Sequence, residues 1–205
     1  MLVLGNNLLL AMLLSGFYIG PVVALEWARR RFGFSSEITR RVVHVFSGLC
    51  TLLDFWLLPG PWFPALIGIS LVGIAASQRF GWLKSVHAVG RKTYGEVFLP
   101  LGTISTYLVS QGNPHYFVPS VLVMTFADAA CGVMSDLLRM KRKSWRGSLV
   151  FAVVTLGIML AAAVDVWRSL VLAVALTALE RISGRGSDNL TVPLGSALLM
   201  AVLQT

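Results

Sequence analysis

The chain has 205 residues, of which 56% are hydrophobic and only 13% charged, and its formal net charge is +8. Ordinary globular chains carry about 25% charged residues, and a mean hydropathy of +0.77 leaves too little polar surface for a water-soluble domain. The composition fits several apolar spans of about 20 residues each, in one bundle over residues 1–205 with no internal repeat and no long linker.

Eight apolar segments follow in chain order, roughly 4–28, 39–58, 61–78, 96–111, 115–138, 147–164, 166–182 and 189–204. The first has no basic stretch before it and many spans after it, so it reads as a retained helix rather than a cleaved signal. Pro59-Gly60-Pro61, Gly112-Asn113-Pro114 and Ser183-Gly184-Arg185-Gly186 punctuate the breaks. The third, fourth and last segments are short for a full crossing and are expected to tilt or to lie partly inside the bundle.

Charge is distributed by loop. Arg29, Arg30, Arg31, Arg40 and Arg41 flank the first connection, and Arg79, Lys84, Arg91 and Lys92 the third. Arg139, Lys141, Arg142, Lys143 and Arg146 flank the fifth, and Arg181 and Arg185 the seventh. Of the 17 Lys and Arg residues only Arg168 falls on the other side. Loops rich in Lys and Arg stay cytoplasmic. The expected fold is therefore an all-α, polytopic transmembrane bundle of about eight spans with both termini non-cytoplasmic. Trp56, Trp62 and Trp167 stand near the other boundary, as interfacial aromatics do. Basic residues placed in this way argue for membrane orientation and against nucleic acid. Cys50 and Cys131 lie in apolar segments without metal-ligand spacing and imply neither a disulfide nor a redox role.

Several acids fall where a bilayer penalises them. Asp128 stands about ten residues inside the fifth segment, roughly 15 Å deep at 1.5 Å per residue. An ionised carboxylate there costs at least about 2.5–3.5 kcal/mol unless it is paired, hydrated or metal-bound. Ala129, Ala130 and Gly132 beside it permit close approach of a backbone or ligand. Asp136 lies near the interface, where water would solvate it. In the second segment Arg40, His44 and Gly48 are four apart and share a face, with Glu37 one turn earlier. That face presents cations and a titratable ring to an anion. Arg91-Lys92-Thr93-Tyr94-Gly95-Glu96 and Lys141-Arg142-Lys143-Ser144-Trp145-Arg146-Gly147-Ser148 each lead into a helix N-terminus. Such an end offers free N–H groups to phosphate. Glu180 closes the seventh segment, and Asp188 or Asn189 caps the eighth. No P-loop, GxSxG or HExxH is present, so phosphate chemistry would have to use the helices and their loops.

Taken in order, these clusters resemble the CTP-dependent polyprenol kinase family, which includes dolichol and phytol kinases. Glu37 to Gly48 resembles its E-x-x-R-K-x-x-H-x-x-x-G pattern, with Arg41 for Lys. RKTYGE from Arg91, FADAACG from Phe126, KSWRG from Lys143 and DNLTVPL from Asp188 resemble four further segments. The Gly-Arg pair that usually follows the Asp motif is replaced here by Val133-Met134-Ser135-Asp136.

The resemblance implies an integral membrane enzyme that transfers the γ-phosphate of CTP, or of another nucleoside triphosphate, to an isoprenoid or other lipid alcohol in the bilayer, with Mg²⁺ or another divalent cation. It implies a catalytic set of Asp128, His44, Glu96 and Arg41, with His44 or Glu96 accepting the hydroxyl proton. Arg91, Lys92, Arg142, Lys143, Ser144, Gly147, Gly132 and Asn189 are the expected nucleotide contacts, and Asp128, Glu180 and Asp188 the expected metal ligands. A CDP-lipid synthase acting on phosphatidic acid is the nearest alternative, since similar Asp and Lys-Ser/Thr motifs occur there. A small transporter or lipid-handling scaffold is another, weakened by the lack of an inverted repeat.

Overall fold

The computed structural model describes residues 2–80, 94–138 and 143–203. Among them are eight helices and no strand. Helix α1 spans Leu2–Phe32, α2 Ser36–Leu57, α3 Trp62–Phe80 and α4 Gly95–Val109. Helix α5 runs from Pro114 to Leu137 with one π-helical turn, Val123–Ala127, inside it. Helices α6, α7 and α8 span Trp145–Ala161, Val166–Ile182 and Asp188–Leu203.

Each expected apolar segment is a helix, and side-chain caps set several boundaries. Ser35 accepts from the Ile38 N–H, which starts α2 ahead of its apolar run. Asn113 caps α5 through the His115 N–H, with Pro114 at the first helical position, where its missing N–H costs nothing. Ser144 caps α6 through the Gly147 N–H, and Asp165 caps α7 through the N–H groups of Trp167 and Arg168.

Helix α5 holds the bundle together because both its faces are buried. Phe117, Val121 and Met124 pack with Phe63, Leu66 and Ile67 of α3 and with Ala11 and Leu14 of α1. Val123, Ala127 and Cys131 pack with Phe151 of α6, Leu172 and Leu176 of α7 and Val192 of α8. An all-round apolar helix belongs in such a place. The outer faces are apolar too: Leu9, Met12 and Leu13 of α1 and Ile69 and Val72 of α3 are exposed. A water-soluble monomer does not present so much apolar surface. Gly5–Phe32, Trp62–Phe80 and Pro114–Leu137 are long and apolar enough to cross a membrane, while α6 and α8 are apolar but shorter.

Small residues let the helices meet closely, as they do in membrane bundles. Ser120 of α5 donates to Ser196 of α8 across 2.9 Å, both fully buried. At Gly102 of α4 a side chain would run into the Asn189 carbonyl and the Leu190 backbone of α8. Backbone cannot give way as a flexible side chain can. Gly102→Val should therefore force α4 and α8 apart and lower the unfolding temperature in detergent by several degrees, given overpacking costs of about 1–3 kcal/mol or more. Gly68→Ala, where nothing lies within 4 Å, is the matched control and should leave the melting curve in place.

Candidate active site at the charged end of the bundle

Helices α2 and α5 form a seam over successive turns. Gly48 lies against the Thr125 side chain, so close that a Cβ there would collide with it. One turn toward the charged end, His44 Nε2 lies 3.0 Å from the Met124 carbonyl and 3.6 Å from Asp128 Oδ2. Next, Arg41 passes over Gly132, where any side chain would strike the guanidinium, and pairs with Asp136 Oδ2 at 2.7 Å. Asp136, expected to be solvated, thus has a cation of its own. The Arg40 Nε is buried and makes no hydrogen bond within the described residues.

The π turn shapes this seam. It shifts the backbone ladder by one residue and leaves a carbonyl for side-chain use, which is why such turns recur at functional sites. Here the Met124 carbonyl takes His44. A carbonyl only accepts, so Nε2 is the nitrogen that carries hydrogen. In the neutral ring the lone pair then belongs to Nδ1.

A second group forms where α6, α7 and α8 meet. Lys143 Nζ donates to Glu180 Oε1 at 2.6 Å, to Asp188 Oδ2 at 3.1 Å and to the Glu180 carbonyl. Burial alone would lower the Lys143 pKa, but the Asp188 and Glu180 carboxylates outweigh it and hold it above the usual lysine value. The ammonium is therefore charged at any physiological pH. Beside it Ser144 caps α6, and Gly147 sits against Cys131 and Ser135 of α5. Asn189, expected as a cap or nucleotide contact, donates through Nδ2 to the Gly95 carbonyl at 2.8 Å. With the Tyr94 N–H on the Arg185 carbonyl at 2.9 Å, it ties the start of α4 to the α7–α8 turn. Glu96 Oε1 accepts from Gln78 of α3 at 3.0 Å.

The two groups are neighbours. The Cys131 thiol, one turn past Asp128, feels the charges of Glu180, Asp128, Lys143 and Arg41. Asp128 in turn feels those of Asp188, His44, Arg40 and Arg41. Asp128, His44, Arg41, Gly132, Lys143, Ser144, Gly147, Glu180, Asp188 and Asn189 therefore share one end of the bundle. Arg91, Lys92 and Arg142 lie outside the described residues. The π turn, the Met124 carbonyl and Thr125 were not singled out in the sequence; the small residues Gly48 and Gly132 on facing helices were the available signal.

The donors suit a hard divalent cation. Mg²⁺ needs only one or two carboxylates beside phosphate oxygens and water. Asp128 and Asp188 are close enough to repel, and the buried Glu180 Oε2 makes no hydrogen bond. Among the described residues, no three His, Cys, Asp or Glu are grouped tightly enough to enclose a metal by themselves.

The chain is 35% identical, over 91% of its length and 88% of the relative's, to the phytol kinase of Synechocystis sp.. No family model and no solved structure matches it.

The Arg41–Asp136 pair is partly exposed, so it should be worth about 1 kcal/mol or less. Gly132→Val should displace the guanidinium and, by unfolding in detergent, cost more than Arg41→Met alone. Combining Gly132→Val with Arg41→Met should recover part of that cost, a non-additivity expected of groups in contact. Strict additivity would contradict the close approach.

Proposed function

Since the chain belongs to the polyprenol and phytol kinase-like family, we propose that it is a multi-pass membrane kinase that moves the γ-phosphate of CTP onto an isoprenoid alcohol such as phytol. The observation that carries this reading is the meeting of Arg41, Arg40, His44 and Lys143 with Asp128, Asp188 and Glu180 at one end of an apolar bundle. A long-chain alcohol stays in the bilayer, and a nucleotide arrives from water. Their reacting atoms must meet where such a charged end faces the aqueous side, which the loop arginines and lysines make the cytoplasmic one.

Phosphoryl transfer asks the protein mainly for positioning and charge neutralisation. The Trp145 and Arg146 N–H groups at the start of α6 serve one phosphate, since Ser144 already takes the Gly147 N–H. Arg41 and Arg40 spread positive charge along α2. Arg91, Lys92 and Arg142 are the further cations assigned to the nucleotide in this reading. Asp128, with Asp188 and Glu180 beside it, would hold Mg²⁺, which neutralises the phosphate oxygens when bound. His44 is oriented by its Nε2–H on the Met124 carbonyl, beside Asp128, and Nδ1, on the other side of the ring, carries the lone pair offered to the alcohol proton. The oxygen–phosphorus bond to the alcohol forms, the bond to the bridging oxygen breaks, and CDP leaves. Glu96 is the alternative proton acceptor.

The test is product analysis. Purified protein given labelled CTP or ATP with a panel of lipid alcohols should yield a nucleoside diphosphate and a lipid monophosphate. Pyrophosphate with a CDP-lipid would make it a cytidylyltransferase instead. Asp128→Asn should lower kcat by about 100-fold or more, in line with loss of an electrostatic group at the reacting centre. His44→Gln, which keeps a donor for Met124 but no base, should lower kcat by about 100-fold with little change in KM. Full activity of a folded Asp128→Asn protein would end this assignment.

A further inference from the structure

Lys143 is held by more than a loose ion pair. An ammonium has three N–H donors, and three acceptors surround this one: Glu180 Oε1, the Glu180 carbonyl and Asp188 Oδ2. While that arrangement lasts, Lys143 has no donor left for a phosphate. The charge is not settled by it either, because two carboxylates share one lysine. Glu180 is only 2% exposed, yet its Oε2 makes no hydrogen bond. Asn189, 8% exposed, has a buried Oδ1 in the same condition. Oxygen acceptors in excess of donors, around a site with one surplus negative charge, are what a hard divalent cation takes. The ammonium fills that role with half the charge.

We propose that Lys143 is a built-in stand-in for the divalent cation. It occupies the space between Glu180 and Asp188. It yields those carboxylates to a divalent cation when the nucleotide enters, and turns its donors to the phosphates. The swing is short, because Lys143 immediately precedes the N-terminus of α6, where the uncapped N–H groups lie. The exchange keeps Glu180 from being left as an unpaired buried anion at any stage, which would be the costly alternative. It also makes metal entry and phosphate contact one event, so that metal without nucleotide must compete with a tethered cation. This inference rests on the kinase reading for its purpose but not for its test.

The test uses Mn²⁺ alone and the whole protein in detergent micelles. Electron paramagnetic resonance titration should show weak Mn²⁺ binding to the wild type and binding about tenfold or more tighter to Lys143→Met, since removing a competing unit charge from a partly buried site shifts affinity on that scale. Lys143→Arg, which keeps the charge, should stay weak, and Lys143→Met with Glu180→Gln should lose the gain. A folded Lys143→Met protein that binds Mn²⁺ no more tightly overturns the proposal. A measurement on the wild type covers the case in which Lys143→Met does not fold. Acylation of Lys143, read by mass spectrometry, should speed up at saturating Mn²⁺ as the ammonium is released. An unchanged or slower rate would mean a permanent staple. The failures are separable: a protein that phosphorylates no lipid alcohol but shows this pattern loses the kinase reading and keeps the exchange. An active kinase without the pattern loses only the exchange.

Discussion

The charged end of this molecule depends on keeping Asp128 in the middle helix of an apolar bundle. A carboxylate inside an apolar bundle is expensive on its own, and both faces of α5 are packed. The solution is local. Glycine at position 48 brings α2 against Thr125, which places His44 on the Met124 carbonyl and near Asp128. Glycine at position 132 gives the Arg41 guanidinium room to reach Asp136. The cations therefore come from a neighbouring helix along a shared seam, and the π turn supplies the backbone acceptor that sets the histidine ring. Without that seam neither the charge of Asp128 nor the direction of His44 would be defined.

The second group obeys the same rule with different parts. Glu180 is nearly inaccessible, and a buried carboxylate persists only if it is paired. Its partner comes from the loop before α6, and Asp188 comes from the first turn of α8. One ammonium thus gathers three elements that are distant in sequence. The Tyr94–Arg185 and Asn189–Gly95 hydrogen bonds bring α4 to the same place. The helices that reach this end are fastened there by polar contacts, in addition to packing and to the Ser120–Ser196 hydrogen bond farther along. That combination suits a bilayer protein, because apolar contact alone does not select one helix partner over another when lipid is the competitor.

The helices were plain in the sequence because each rule that marks them is short-ranged. Apolar runs broken by Pro59-Gly60-Pro61 and by Asn113-Pro114 needed only neighbouring residues to be read. Ends shifted where a cap outside the apolar run extended the helix: Ser35 began α2 at Ser36, and Ser144 began α6 at Trp145. Helix α1 ran on to Phe32 because Glu26 pairs with Arg29 and Arg30 one turn later, so that charge continues the helix where hydropathy stops. The site was legible as residue types but not as pairings. Arg41, His44, Asp128 and Lys143 were named from charge and position, yet Arg41 with Asp136 spans 95 residues and Lys143 with Glu180 spans 37. No periodicity carries that information. The π turn was invisible for a related reason: Val123 to Ala127 has the composition of ordinary helix.

The small residues are therefore better understood as site residues than as filler. A water-soluble enzyme can bring distant groups together on long loops. A membrane protein whose described residues are nearly all helical must do so between helices, and side-chain reach then limits what can meet. Arg41 meets Asp136 and His44 meets Asp128 because Gly48 admits the Thr125 side chain and Gly132 leaves room for the Arg41 guanidinium. Gly147 does the same for α6 against Cys131 and Ser135, which carries the capped N-terminus of α6 up to the seam. Asn189 can hold the Gly95 carbonyl because Gly102 lets α4 and α8 touch along their backbones. Filling Gly102 would press on backbone, and filling Gly48 or Gly132 would push against the side chains the site uses, with every charged residue still in the sequence.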